Sequence, residues 1–314
     1  MTDTVPQEDG VLAERLAVLG SPIAHSKSPA IHAAAYERLA LDWRYGRQQL
    51  EAAELADFLA SRGPQWRGFS VTMPLKEEAH RLSTVLDPIA EESGVVNTLL
   101  RIASDTSGAP RWAGFNTDVA GLAMAISNAG LDATSTVVIG SGATAVSAIL
   151  AARRLGARHV EVVARNVDAV GRLVARFGET REPGSDSPLH VSGTVLPHAV
   201  NLIADIAAVA AAGIDARIAS PTLVISTLPG PAGAELALPT GLTEVPLFDV
   251  AYDPWPSPLA ARWRDAGGTA HAGTEMLVEQ ALAQVRIFVG GDPSIALEDE
   301  PSVLAAMRAA SVGG

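Results

Sequence analysis

The 314 residues contain no cysteine. Disulfides, thiol nucleophiles and thiolate metal sites are therefore excluded, no metal is expected, and a reducing, cytoplasmic compartment is. There is no run of eighteen apolar residues, which argues against a membrane span. The opening "MTDTVPQEDG" has neither the basic nor the apolar region of a signal peptide and reads as a polar tail. A basic surplus is also lacking: 23 Lys+Arg against 35 Asp+Glu give a net charge of −12. Phosphate binding needs basic surface, so nucleic acid is not an expected partner. Internal repeats are absent, and so is any G-x-S-x-G elbow. A hydrolase built on His25 and Ser26 is excluded further because neighbours in an extended turn point apart.

What is present is the composition of an ordinary globular chain, 48% hydrophobic and 18% charged, long enough for one large or two medium domains. Strand-like and helix-like segments alternate almost throughout, which predicts an α/β fold with parallel sheets. "LAVL" (16–19) reads as a buried strand, followed by the polar "GSPIAHSKSPAIH" (20–32). There Ser28 is expected to cap a helix that has Pro29 at its first position. Strands are expected in "WRYGRQQL", "WRGFSVTM", "GVVNTLLRI" and "RWAGFN", and helices in "AAELADFLASR" and "PLKEEAHRLS", the latter with Pro74 near its start. A boundary near Thr117 divides the chain into two lobes, 1–117 and 118–272, bridged by the helix "TDVAGLAMAISNAG". In the second lobe "ETREPGSDSPLH" reads as a loop, and "PTLVISTLPG" and "VPLFDVAYDPWPSPLA" as strands ending in turns. From Gly273 an amphipathic helix and one more helix, 273–314, are expected to return to the first lobe.

"VVIGSGAT" carries a dinucleotide pattern. Gly140-Ser141-Gly142-Ala143-Thr144-Ala145 reads G-x-G-x-x-A between a strand and a helix. The first glycine permits the tight turn, the second lets backbone approach a pyrophosphate, and the helix N-terminus faces the anion. An NAD-selective fold would end the next strand with an acidic residue for the ribose diol. Here that strand ends in Ala164-Arg165-Asn166, and Arg165 suits a 2′-phosphate, so NADP is expected. Asp168 is more simply a helix-start residue.

Four polar clusters fall at expected strand ends in the first lobe: Ser26 and Ser28, Thr72 with Lys76, Asn97, and Asn116-Thr117-Asp118. Each has a local explanation as cap or turn, but together they converge where the lobes meet, and open α/β sheets bind ligands there. Reduction of a ketone needs a proton for the developing alkoxide; Lys76 can supply it and Asp118 can hold the lysine. Hydroxyls of Ser26 and Ser28 suit a carboxylate flanked by hydroxyl groups. Gln280, four residues after Met276 on one helical face, can point into the cleft. His25 and His32 lack a carboxylate at catalytic spacing and read as packing or turn residues.

"GSPIAHSKSP", "SVTMPLK", "VVNTL", "GFNTDVAG", "GSGAT", "STLPG", "DVAYDPWPSPL" and "GTEMLVEQA" stand in the order found in the shikimate dehydrogenase family, which the chain resembles from about Ala17 to Gln280. The resemblance implies an NADP-dependent oxidoreductase that reduces 3-dehydroshikimate to shikimate on the route to aromatic amino acids. It implies an N-terminal α/β substrate lobe, a Rossmann-like doubly wound NADP lobe, and C-terminal helices returning to the first. Lys76 and Asp118 match the catalytic pair, and Ser26 and Ser28 the serines that bind the substrate carboxylate. Thr72, Asn97, Asp118, Gln280 and Tyr252 match groups around the substrate ring. On the cofactor side stand Gly140, Ser141, Gly142, Ala143, Thr144, Ala164 and Arg165, with Thr227, Leu228 and Gly273.

Three positions depart from the family pattern: Ser70 and Ala33, where many members carry asparagine, and Ala164, where asparagine precedes the cofactor arginine. A quinate/shikimate dehydrogenase using NAD(P) is the alternative within the class, and Ser28 favours shikimate, because relatives that accept quinate often carry threonine there. A non-catalytic ligand sensor is the alternative outside it; a sensor has no need of Lys76 and Asp118. The substrate is a small molecule and the chain a monomer or homodimer.

Overall fold

Leu16–Leu19 forms the interior of β1 (Arg15–Gly20), and alternate side chains there reach different cores. Ala17 and Leu19 pack with Phe69, Leu75 and Trp112, whereas Leu16 packs with Ile31, Tyr36 and Phe288. That split is the period-two pleat of a strand covered on both faces. The computed structural model describes residues 14–104, 108–180, 188–196, 221–234 and 241–312.

The first sheet runs β2-β1-β3-β5-β6-β4, with β2 at Arg44–Gln49, β3 at Trp66–Val71, β4 at Val85–Leu86, β5 at Thr98–Ile102 and β6 at Arg111–Phe115. It is mixed rather than parallel as expected: β5 runs antiparallel to both β3 and β6. For β5 and β6 the reason is the short connection, 103–110, too short for the crossover that parallel strands require. Helices α1 (Ser28–Arg38), α2 (Leu55–Ala60), α3 (Lys76–Leu82) and α4 (Pro88–Ser93) belong to this lobe. Sequence reading missed β4 and α4, although the α4 signals are present. The Asp87 carboxylate accepts from the Ile89 and Ala90 amides at 3.2 and 3.0 Å, Pro88 opens the helix, and Gly94 closes it at φ +66°.

The second sheet runs β13-β12-β11-β7-β8-β10-β9, parallel except for β9 against β10. Its strands are β7 (Ser135–Ile139), β8 (His159–Ala164), β9 (Glu179–Thr180), β10 (Leu189–Val195), β11 (Leu223–Ser226), β12 (Leu247–Asp249) and β13 (Ala270–Ala272). The expected loop at 179–190 is thus strand at both ends, paired as Leu189 against Thr180; residues 181–187 lie outside the described residues. Helices α6 (Ala143–Arg154) and α7 (Val167–Phe177) contribute to the core that holds Val138, whereas Val137 and Ile139 pack with Trp263 of α8 (Pro258–Asp265). Helices on both faces explain why β7 is apolar without alternation. α8, read from sequence as a turn, is capped by Ser257, whose Oγ accepts from the Ala260 amide at 3.0 Å.

α5 (Asp118–Asn128) and α9 (Thr274–Gly290) pack against each other between the sheets. α9 was expected to be amphipathic. It is buried on most sides, because α1, α5 and α10 (Glu300–Val312) all contact it. At the α5–α9 crossing Gly121 lies so close to Gln280 that a Cβ there would sit 2.7 Å from the Gln280 amide nitrogen and 2.9 Å from its Cα. A second link joins the lobes: Arg153 donates to both carboxylate oxygens of Glu92, at 2.6 and 2.8 Å.

Candidate active site

Residues of both lobes line a cleft of about 330 Å³. Of the side chains expected around substrate, Ser26, Ser28, Thr72, Lys76, Asn97, Asp118, Tyr252 and Gln280 all line it. From the cofactor side it is joined by Thr144 and Gly273.

Each position follows from local structure. Lys76 and Asp118 are the first residues of α3 and α5. Asp118 sits where the helix dipole favours a negative charge, and its amide donates to Asn116 Oδ1 at 3.0 Å. Asn116 in turn donates to Ser93 Oγ at 2.9 Å and Ser147 Oγ at 3.3 Å, tying this turn to α4 and, across the lobes, to α6. Gly20 at the end of β1 lets the Thr72–Met73 turn approach closely: a Cβ at Gly20 would lie 2.9 Å from the Met73 carbonyl oxygen.

Lys76 Nζ donates to Asp118 Oδ2 at 2.6 Å, with side chains only 12% and 7% exposed. The other carboxylate oxygen, Oδ1, accepts from Asn97 Nδ2 at 2.8 Å. Asn97 Nδ2 also donates to Thr117 Oγ1 at 2.8 Å and Gln280 Oε1 at 3.3 Å. The ammonium is therefore held by one carboxylate whose second oxygen is already occupied, and it faces the cleft with the rest of its donor capacity.

The serine turn differs from its expected form. Ser28 is not the helix cap: the residue before α1 is Lys27, which makes no side-chain cap bond. Ser26 supplies the local contact instead, its Oγ accepting from the Ser28 amide at 3.3 Å. Its O–H remains available to donate into the cleft. Arg47 holds this turn by donating Nε and Nη2 to the Ser26 carbonyl at 3.1 and 2.8 Å. His25 lines the cleft, whereas His32 is fully buried and hydrogen-bonded to Tyr36 and Gln284. On the far wall, burial and then the Asp253 charge push the Tyr252 hydroxyl pKa up, so that it stays a protonated donor.

The remaining cofactor-side residues lie at the carboxyl ends of three adjacent strands. Gly140 to Ala143 follow β7, Ala164 ends β8 with Arg165 directly after it, and Thr227 and Leu228 follow β11. Strand order departs in both directions from β7, and this switch point is where doubly wound sheets bind nucleotides. Gly140 has φ +124°, and a Cβ there would collide with Thr227 Oγ1, which donates to the Ile139 carbonyl at 2.9 Å. Gly142 has open space where its Cβ would point, directly before α6. Arg165 is exposed, no carboxylate occupies the tip of β8, and Asn166 caps α7 through the Ala169 amide at 3.0 Å. The turn and helix N-terminus fit a dinucleotide pyrophosphate.

A doubly wound sheet facing a polar cleft with a buried lysine–carboxylate pair defines the class: a two-lobed α/β oxidoreductase that works with a nicotinamide dinucleotide. Comparison with known proteins narrows it. Residues 18–99 match the family model of the shikimate dehydrogenase substrate binding domain. A shikimate dehydrogenase (NADP(+)) of an Anaeromyxobacter species is 32% identical over 276 residues, 87% of this chain and 90% of that protein. The crystal structure of Mycobacterium tuberculosis shikimate dehydrogenase superposes with a TM-score of 0.71 at 36% identity, covering 94% of this chain and 99% of the other. That of the Thermus thermophilus enzyme, in complex with NADP(H) and shikimate, gives 0.71 at 27% identity, with 95% and 99% covered. The chain belongs to the shikimate dehydrogenase family.

Sequence reasoning missed Gln284, which lines the cleft, and Thr98 and Tyr45, which lie in the polar path connected to it. Gln284 carried a usable signal, since it lies four residues beyond Gln280 and so on the same face of α9.

Proposed function

We propose that this chain interconverts 3-dehydroshikimate and shikimate with NADP, and that Lys76 transfers the proton. NADPH, when bound, supplies the hydride to the ketone carbon. Lys76 donates a proton to the oxygen that becomes an alkoxide and, in the reverse direction, receives it. Asp118 keeps the ammonium aimed and accepts a ring hydroxyl; its second oxygen, bound by Asn97, fixes the carboxylate plane. Ser26 and Ser28, beside the positive end of α1, donate to the substrate carboxylate. Thr72, Asn97 and Gln280 bind ring hydroxyls, and the protonated Tyr252 closes the site from the opposite lobe. Gly140, Ser141, Gly142, Ala143 and Thr144 carry the pyrophosphate, and Arg165, following Ala164, the 2′-phosphate. Thr227, Leu228 and Gly273 flank the nicotinamide end.

The observation that carries this reading is the Lys76–Asp118–Asn97 chain lining a cleft between the lobes. We assign 1–117 with 273–314 to the substrate domain and 118–272 to the dinucleotide domain, supported by the membership of the two sheets. For the assembly we keep a monomer or a homodimer. The lack of cysteine supports a cytoplasmic setting, and among the described residues no helix is long and apolar enough to cross a membrane. The test is an initial-rate comparison of shikimate and quinate, each with NADP and NAD. Shikimate with NADP should be fastest; a chain that turns over neither acid would overturn the reading.

A further inference from the structure

A continuous polar path runs from the cleft wall, which Ser70 and Gln284 help to line, to Asn97, and its other members have no part in the proposed chemistry. Tyr45 OH donates to Ser70 Oγ at 2.6 Å, and Ser70 Oγ donates to Gln284 Oε1 at 2.7 Å. The same Oε1 lies 3.1 Å from His32 Nε2, and His32 Nδ1 lies 3.1 Å from Tyr36 OH. Gln284 Nε2 donates to Thr98 Oγ1 at 3.0 Å and to the Asn97 carbonyl at 3.3 Å, and Thr98 Oγ1 donates to Asn97 Oδ1 at 2.8 Å. Gln284 is 2% exposed and His32 0%.

Two backbone groups, each able to act in only one way, fix the directions of the bonds in this path. A backbone carbonyl only accepts, so the Gln284 edge facing Asn97 O must be its NH2. Its oxygen then faces Ser70 and His32, which makes His32 Nε2 a donor and Nδ1 the acceptor from Tyr36. Thr98 accepts from Gln284 on one lone pair and sends its own hydrogen to Asn97 Oδ1. That oxygen also accepts from the Thr117 amide at 2.9 Å, and because a backbone N–H only donates, this contact sets which edge of Asn97 is oxygen. The Asn97 amide is thereby locked with its NH2 toward Asp118 and Gln280. A reversed Asn97 would put its oxygen against the Asp118 carboxylate.

Resting on the function proposed above, we infer that Gln284 is a positioning residue for the reaction: by donating to Thr98 it turns the Thr98 hydrogen onto Asn97 Oδ1, the second donor that, with the Thr117 amide, steadies the Asn97 amide donating to Asp118. It touches neither the proton donor nor the carboxylate. It acts by keeping the carboxylate plane, and so the Lys76 ammonium, aimed at the reacting oxygen.

Two variants of Gln284 separate this role from simple packing. Gln284→Met keeps the volume and removes both donor and acceptor. Its kcat for shikimate oxidation should fall by about tenfold to a hundredfold, the cost of misaimed catalytic groups, with KM within about threefold. Gln284→Glu keeps the shape. Its neutral carboxyl can still donate its one hydrogen to Thr98 Oγ1 in place of the amide, whereas its ionised form sets an acceptor against the Asn97 carbonyl. Burial raises a carboxyl pKa, so the kcat ratio of this variant to the parent should climb as pH falls from about 9 to about 6. The groups facing the introduced carboxyl are His32, Ser70, Thr98 and the Asn97 carbonyl, with Tyr45 and Tyr36 beyond. Should Gln284→Met fail to fold, judged by lost NADP binding, Thr98→Val removes only the relaying hydroxyl and should lower kcat by about tenfold. Parent-like kcat in Gln284→Met or Thr98→Val, or a ratio for Gln284→Glu that does not change with pH, overturns the role while leaving the reaction in place. A parent protein that does not oxidise shikimate overturns both.

Discussion

His32 is held neutral by its surroundings, and this makes the fold sensitive to acid in a calculable way. The imidazole is buried, stacks on Tyr45 with ring centroids 4.1 Å apart, and has its pKa lowered from 6.5 to about 3 by desolvation, which the Gln284 hydrogen bond only partly offsets. The unfolded chain takes up a proton at this residue below its ordinary value, and the folded chain does not until far lower pH. Stability from His32 is therefore complete above 6.5 and is lost progressively as pH falls toward 3. At about pH 5 the loss is ~2 kcal/mol, one and a half pH units at about 1.36 kcal/mol each. Acid also acts on Asp87 and Asp249, whose carboxyl pKa values burial pushes up. Comparing the parent with His32→Gln cancels such shared contributions. Urea denaturation of both proteins at about pH 8 and about pH 5 should show the parent's advantage shrinking by ~2 kcal/mol. An advantage that stays constant across that range would refute the reasoning.

Gly121→Ala should destabilise the chain by about 1–3 kcal/mol, as overpacking does, and raise KM for shikimate, because the new Cβ meets Gln280 backbone; calorimetry and initial rates check the two effects. Arg165→Ala should raise KM for NADP by about tenfold to a hundredfold, the worth of a charged hydrogen bond, with KM for NAD within about twofold; equal effects on both cofactors would remove the assigned phosphate contact. Ser26→Ala should raise KM for shikimate about tenfold by losing one donor to the carboxylate, with little change in kcat; unchanged KM would free Ser26 from that role.

The sequence made the two-lobed architecture and most of the cleft legible because the chemistry-bearing residues lie where local signals are strong. Gly140 and Gly142 stand between an apolar run and a helix, and Lys76 and Asp118 open helices after strands. What stayed hidden depends on tertiary pairing. The antiparallel β5 could not be read from an alternation of strands and helices. The relay from Tyr45 to Asn97 joins β2, β3, α9 and β5, segments 25 to 214 residues apart along its links. Ser26 illustrates the intermediate case: the cap was expected at Ser28, yet it is Ser26 Oγ that accepts, from the Ser28 amide, at the start of α1. Helix α4 was a different failure, for its Asp-Pro opening and glycine close are local signals that a six-residue span makes easy to pass over.

The most direct test of the account is shikimate oxidation with NADP by the parent protein and by Lys76→Ala, paired with NADP binding to both. The parent should generate NADPH. The variant should bind NADP with unchanged affinity while kcat falls by about a hundredfold to ten-thousandfold, the scale of a lost general acid–base group. A Lys76→Ala protein that oxidises shikimate at the parent rate would contradict the account at its centre.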